Sequence, residues 1–185
     1  MATEPKNNAV PDDNQKEFIE RAKLLFDYQQ KQYEFALASL RRLEDKAAKI
    51  FGSINIMITI TFILVKYLES IIFAEENTPP AILCWIALAL FFILFLISWG
   101  FTFSAMQPRE GLRPPTDSSV IGFFMDNPRQ NALSAFANSY VGFIEHVDSI
   151  HKEKVKLIQN AAEAMLFGAW AFVAFLIFFL ITKFS

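Results

Sequence analysis

The stretch RRLEDKAAKIFGSINIMITITF, residues 41–62, joins a charged segment directly to an apolar one. No proline or glycine interrupts the chain between Asp12 and Phe51, so one helix can continue from the charged part into the apolar part. Apolar residues recur at steps of three and four over residues 14–49, which is typical of an amphipathic helix. We therefore predict a helix over 14–49 that leads into a first membrane span over 50–73.

The composition of the whole chain also favours a membrane protein. Hydrophobic residues make up 54% of the 185 residues, and 21 of them are phenylalanine. The mean hydropathy is +0.30. A soluble domain of this size would struggle to bury that much apolar surface. The net charge of -2 argues against nucleic-acid binding, and the single cysteine excludes a disulfide framework.

Two further segments are long and apolar enough to cross a bilayer. Residues 81–106 and residues 164–182 contain no charged side chain. About 20 such residues span a hydrocarbon core of about 30 Å. The first span, 50–73, has the weakest pattern because Lys66 and Glu69 lie within it and must reach the interface. We predict three spans in total.

Lysine and arginine residues near the span ends predict the orientation, because cytoplasmic flanks carry an excess of them. They cluster before the first span, after the second and before the third, while the opposite side has only Lys66 and Lys183. We predict a cytoplasmic N-terminus and an outer C-terminus. Residues 1–13 are predicted to be a disordered tail without a secretory signal, and 14–185 a single membrane domain.

Residues 129–163 repeat the helical spacing of residues 14–49. Each segment of about 35 residues forms a helix of about 50 Å, and each has an apolar stripe that needs a partner. We predict that the two pair as a cytoplasmic stalk; the alternative is that both stripes lie on the membrane surface. Residues 107–128 are predicted to be a cytoplasmic loop. Its apolar island at 120–125 either packs against the stalk or anchors at the interface.

The predicted fold class is therefore an all-α membrane protein, with three transmembrane helices and two long cytoplasmic helices forming a stalk. One face of the first span contains most of its polar groups, which lipid cannot satisfy. This face either lines a pore or an oligomer interface, or makes ordinary interhelical hydrogen bonds within one subunit. The residues of this polar stripe are Gly52, Asn55, Thr59 and Lys66.

Charged residues beside the cytoplasmic span ends are candidates for signal binding or gating. These candidates are Arg41, Arg42, Asp45, Lys46, Lys152, Lys154 and Lys156. Arg41 and Asp45 have the spacing of an intrahelical ion pair. Basic residues at this depth commonly serve topology and anionic headgroups, and a second use would be to hold a phosphate or nucleotide.

The third span has small residues at helical steps, namely Ala164, Gly168 and Ala171. Such steps allow close helix contact, and we expect them to receive the first span or a neighbouring subunit. No catalytic motif is visible, and His146 and His151 are five residues apart, a poor spacing for one ligand. We expect neither an enzyme nor a metal site nor a resident cofactor.

Four segments together resemble a known family. They are LRRLEDKAAKIFGSINIMITITF (40–62), FTFSAMQPREG (101–111), SSVIGFFMD (118–126) and IEHVDSIHKEKVKLIQNAAEAMLFG (144–168). In order and spacing they resemble the transmembrane effectors of bacterial Pycsar anti-phage systems. The core formed by Asp45, Lys46 and Ala47 matches best, and the resemblance covers about residues 38–180.

The resemblance implies an effector in the bacterial inner membrane. In such systems a partner cyclase makes a cyclic pyrimidine nucleotide on infection, and the effector oligomerises and disrupts or permeabilises the membrane. The chain departs from this outline because it has no recognisable separate nucleotide-binding domain. Either the stalk binds the signal or another protein senses it. The alternative function is a non-catalytic membrane anchor or scaffold whose cytoplasmic helices bind a soluble partner.

Overall fold

The structure is a computed structural model that describes residues 13–68, 79–109, 114 and 117–184. Within these ranges every regular element is an α-helix. The helices are α1 (Asp13–Tyr67), α2 (Pro79–Met106), α3 (Ser118–Asp126) and α4 (Arg129–Phe184). The predicted tail, apart from Asp13, and residues 69–73 of the predicted first span lie outside the part described.

Three of these helices, α1, α2 and α4, are long and apolar enough to cross a membrane. Helix α1 has 55 residues and α4 has 56, so the predicted junctions at 49/50 and 163/164 each fall inside one continuous helix. No proline occurs within either helix to break its backbone hydrogen bonds. The fold class is an all-α membrane protein, which confirms the prediction.

Helix α3 lies inside the segment predicted to be a loop, 107–128. Its N-cap residue is Asp117, whose carboxylate accepts a 2.7 Å hydrogen bond from the Ser119 hydroxyl. Asn127 ends the helix in an extended conformation because Pro128 follows it. The carbonyl of Pro128 then accepts hydrogen bonds from the first turn of α4. Proline thus separates α3 from α4.

Among the described residues the chain divides into two compact units. Unit 1 contains residues 13–39, 114 and 117–149, and unit 2 contains 40–68, 79–109 and 150–184. Helices α1 and α4 contribute to both units. The sequence predicted a single domain over 14–185, and the division falls within it.

Aromatic contacts hold unit 1 together. The Tyr140 ring on α4 lies 5.6 Å from Tyr33 and 5.8 Å from Phe26, both on α1. The two long helical segments therefore pair, as the stalk requires. Burial raises the pKa of the Tyr140 phenol, and Tyr33 and Glu34 raise it further. The rings of α3 also take part, since Phe124 stacks on Phe136 of α4 at 4.7 Å.

The apolar island of α3 therefore packs against α4, which was one of its two predicted positions. Ile121 and Met125 of the same helix remain 67% and 82% exposed. Only one side of α3 is used for packing inside unit 1.

Unit 2 is built around two clusters of buried side chains. One joins α2 to α4 through Cys84, Ala87, Leu88, Phe175 and Phe179. The other adds α1 and contains Ile54, Phe91, Phe95 and Ala171. Three residues after Phe95, the Ser98 hydroxyl of α2 donates a 2.7 Å hydrogen bond to the Ala161 carbonyl of α4. Three helices thus share one core, and their outer faces are left for lipid or other protein.

Candidate functional site

Helix α1 contributes least to the packing of unit 2. In its most apolar window 11% of the residues are buried, against 33% in α2 and 28% in α4. Ile54 and Thr61 are completely buried and define the packed side of α1. The Thr61 hydroxyl donates to the Met57 carbonyl at 2.9 Å, so no polar group on this side lacks a partner.

The predicted polar stripe lies on the open side of α1. Asn55, Thr59 and Lys66 are exposed, and Gly52 is half-buried. Thr59 donates its hydroxyl hydrogen to the Asn55 carbonyl at 2.8 Å, within the helix. The side-chain amide of Asn55 makes no hydrogen bond to another described residue. Among the described residues no hydrogen bond joins the stripe to α2 or α4, so these side chains provide no example of the interhelical bonds of the predicted alternative.

Large apolar side chains flank the stripe on the same open surface. Ile56 is 61% exposed, and Phe62 is 59% exposed although its ring also contacts the Phe92 ring of α2 at 4.9 Å. In the described part of the chain, no atom beyond the helix itself lies within 4 Å of the position that a Cβ on Gly52 would take. The surface around Asn55 is therefore apolar, with one amide and one shallow depression at Gly52.

The charged candidates divide into exposed and buried residues. Those exposed to solvent are Arg41, Arg42, Asp45, Lys46, Lys152 and Lys156. Arg41 and Asp45 form no ion pair with each other or with another described residue, so the predicted pair is wrong. Two solvated side chains gain little from such a pair, because water screens the attraction.

Lys154 is the exception, with a side chain only 2% exposed. Its ammonium group donates to Glu44 Oε1 at 2.5 Å and to the Gln107 carbonyl at 2.9 Å. These three residues, the Lys154 clamp, connect α1, the residue following α2, and α4. Lys154 is therefore enclosed by its own chain and is not open to a soluble signal, which leaves gating as the one predicted role that fits its position.

The burial of Lys154 had a signal in the sequence. It occupies an apolar position in the helical pattern of residues 129–163, where a lone lysine needs an internal partner. Sequence reasoning missed that partner, Glu44, because it lies 110 residues away. The acidic residue next to the predicted candidate Asp45 makes the contact, whereas Asp45 itself faces solvent.

The small residues of the third span are buried inside unit 2. The ring of Phe95 on α2 covers Gly168, and a Cβ on that glycine would lie 2.6 Å from Phe95 Cδ2. We expected Gly168 to contact the first span or another subunit, but it contacts α2 instead. Ala171 shares a cluster with Ile54 of α1, and Ala164 is also buried. Glycine is required where an aromatic ring approaches the helix backbone this closely.

These features define the class: an all-α membrane protein whose first span has one packed side and one open polar side. Comparison with known proteins gives no match to a family model, to a curated protein or to a solved structure.

Proposed function

We propose that this protein is a membrane effector that self-associates through the polar stripe of α1 and permeabilises a bacterial inner membrane. The observation that carries the proposal is the exposure of Asn55 in the middle of an apolar helical segment. A carboxamide has two N–H donors and one carbonyl acceptor. Hydrocarbon offers partners to none of them.

A second copy of the chain would satisfy this amide. Interhelical hydrogen bonds between polar side chains in membranes contribute about 0.6 to 2 kcal/mol each. Gly52 lies about one turn before Asn55 and has open space at its Cβ position, so another helix can approach there closely. Three spans do not enclose an aqueous path, and any channel therefore needs several copies arranged with the stripe facing inward.

The proposed orientation places the N-terminus in the cytoplasm and the C-terminus outside, as the distribution of lysine and arginine favours. The exposed residues Arg41, Arg42 and Asp45 are then accessible to a cytoplasmic signal. Following the family resemblance, we propose a cyclic pyrimidine nucleotide from a partner cyclase as that signal. It would act by repacking the helices that continue into the stripe.

The test compares Asn55→Leu with the neighbouring variant Ile56→Leu in the full-length chain. Each is reconstituted in dye-loaded liposomes and examined for self-association by crosslinking in detergent. We expect Asn55→Leu to shift the association equilibrium toward the monomer by about 1 kcal/mol, and dye leakage to fall with it. Ile56→Leu should behave as the wild type, because it conserves the apolar surface beside the stripe.

An Asn55→Leu protein that assembles and leaks like the wild type would exclude the stripe as the functional surface. The scaffold alternative has a different signature. Under that alternative, replacing all three spans with unrelated ones preserves function, because only the soluble partner's docking surface matters. Under the effector proposal the same replacement abolishes leakage.

A further inference from the structure

We propose that unit 2 contains a binding site for a phosphate group, separate from the polar stripe. The site is a groove of about 270 Å³ between the chain just after α2 and one face of α4. Its lining residues, the basic groove, are Arg109, Glu153, Lys156, Leu157 and Asn160. Nothing in the proposal depends on membrane permeabilisation.

The charges of the groove favour an anion. The Arg109 guanidinium contacts the Glu153 carboxylate at 3.1 Å, and both side chains are more than half exposed. An ion pair this exposed is weak and is readily exchanged for another partner. Lys156 is exposed and forms no ion pair with a described residue. The groove lining therefore contains two cations, Arg109 and Lys156, and one carboxylate, Glu153. Its net charge is positive.

The hydrogen-bonding groups also suit phosphate. Arginine presents paired N–H donors in the geometry that phosphate oxygens accept, and lysine adds a compact charge. Asn160 contributes an amide that can donate a further hydrogen bond. Leu157 gives the groove one apolar wall beside these donors. This combination matches a phosphate ester with an apolar group attached.

The depth of the groove suits a lipid headgroup. Asn160 precedes Ala164, the first residue of the predicted third span, by four residues or about 6 Å along the helix. Basic pockets between membrane helices on the cytoplasmic side are known sites for anionic headgroups. The same donors would also accept a free phosphate from solution. The shared chemistry is the phosphate group, and the experiment distinguishes its two sources.

The test uses full-length protein in neutral detergent and native mass spectrometry with added phosphatidylglycerol or phosphatidylcholine. Lys156→Gln should reduce phosphatidylglycerol binding about fivefold. Glu153→Gln should increase it by a similar factor, because it frees Arg109 and removes a competing carboxylate. Lys49→Gln is the matched control. It removes the same charge from an exposed position on α1, outside the groove lining, and should change binding less than twofold.

Thermal unfolding of each variant checks that it is folded. A titration with inorganic pyrophosphate then separates the two sources: displacement of phosphatidylglycerol identifies a site open to free phosphate, and its absence identifies a headgroup site. Equal losses of phosphatidylglycerol binding in Lys156→Gln and Lys49→Gln would mean that general surface charge explains the binding, and would overturn the proposed site. An unchanged phosphatidylglycerol affinity in Glu153→Gln or in Lys156→Gln would also overturn it.

Discussion

Ile54 and Asn55 are adjacent in α1, and they show how the two sides of this helix differ. Ile54 is completely buried among Phe91, Phe95 and Ala171, whereas Asn55 is exposed. Polarity alone does not explain the division, since Thr61 is buried and Ile56 and Phe62 are exposed. Lipid tails are as apolar as these side chains, so burying an apolar side chain between helices gains little free energy. Shape and hydrogen bonding therefore decide which side of α1 packs.

The two sides of α1 therefore follow different rules. The packed side contains residues whose shapes fit against the aromatic rings and small side chains of α2 and α4. Its buried hydroxyl, on Thr61, is hydrogen-bonded inside the protein. The open side keeps a polar amide that no described residue of its own chain satisfies. Changes on the packed side should alter the stability of the subunit, and changes on the open side should alter what the subunit binds.

The largest effect is expected at the Lys154 clamp, on the packed side. Glu44→Ala leaves the Lys154 ammonium buried without its carboxylate, and we expect it to cost about 3 to 5 kcal/mol of unfolding free energy. The double variant Glu44→Ala/Lys154→Met removes both charges and should recover most of this loss. Denaturant titration in detergent measures both values.

The control for this prediction is Glu153→Ala, which breaks the exposed pair with Arg109. It should cost no more than about 1 kcal/mol, because water screens that pair. If Glu44→Ala and Glu153→Ala had equal effects, the burial of Lys154 would contribute nothing to stability.

An intermediate effect is expected from two matched glycine substitutions. Gly168→Leu forces a side chain into the ring of Phe95 and should destabilise the subunit by about 1 to 3 kcal/mol. Gly52→Leu meets open space and should leave subunit stability unchanged or slightly higher, since leucine favours the helix over glycine. Thermal unfolding in detergent measures the first effect.

Crosslinking of the Gly52→Leu protein measures the second, because a bulky residue would obstruct the approach of another copy. The comparison between the two sides fails if Gly52→Leu unfolds the subunit as strongly as Gly168→Leu does.

The smallest effect is expected from removing single hydroxyl groups. Ser98→Ala loses the hydrogen bond from α2 to the Ala161 carbonyl on α4 and should cost about 0.5 to 1.5 kcal/mol. Thr59→Ala loses a bond made within its own helix, on the open side, and should be close to neutral. Equal losses measured by denaturant titration would mean that the interhelical bond has no special role.

The sequence was sufficient for the long helices and for the class of protein. A helical pattern uninterrupted by proline predicts that α1 and α4 each continue from a charged segment into an apolar one, as they do. The periodicity also predicted which residues share the polar stripe. Helix α3 was not predicted, since its nine residues include Gly122 and give too few turns for a periodic signal.

The contacts between distant residues could not be predicted from one sequence. Gly168 indicated that another helix packs closely at this position. Which helix that is, and therefore that Phe95 is the contact, could not be read from the sequence. The apolar position of Lys154 signalled its burial, but Glu44 looks like a surface residue in its local sequence, and only the packing of three helix segments brings the two together. Local patterns indicate which face of a helix is buried, but they do not indicate which helix packs against that face.

The Lys154 clamp also has a consequence for the order of events during synthesis. Glu44 precedes the first span, and Lys154 is made 110 residues later, just before the third. A nascent chain with only two spans inserted therefore has Glu44 without its cation and lacks the helix that buries Phe91 and Phe95. Closure of the ion pair marks the moment at which the third span has joined the other two.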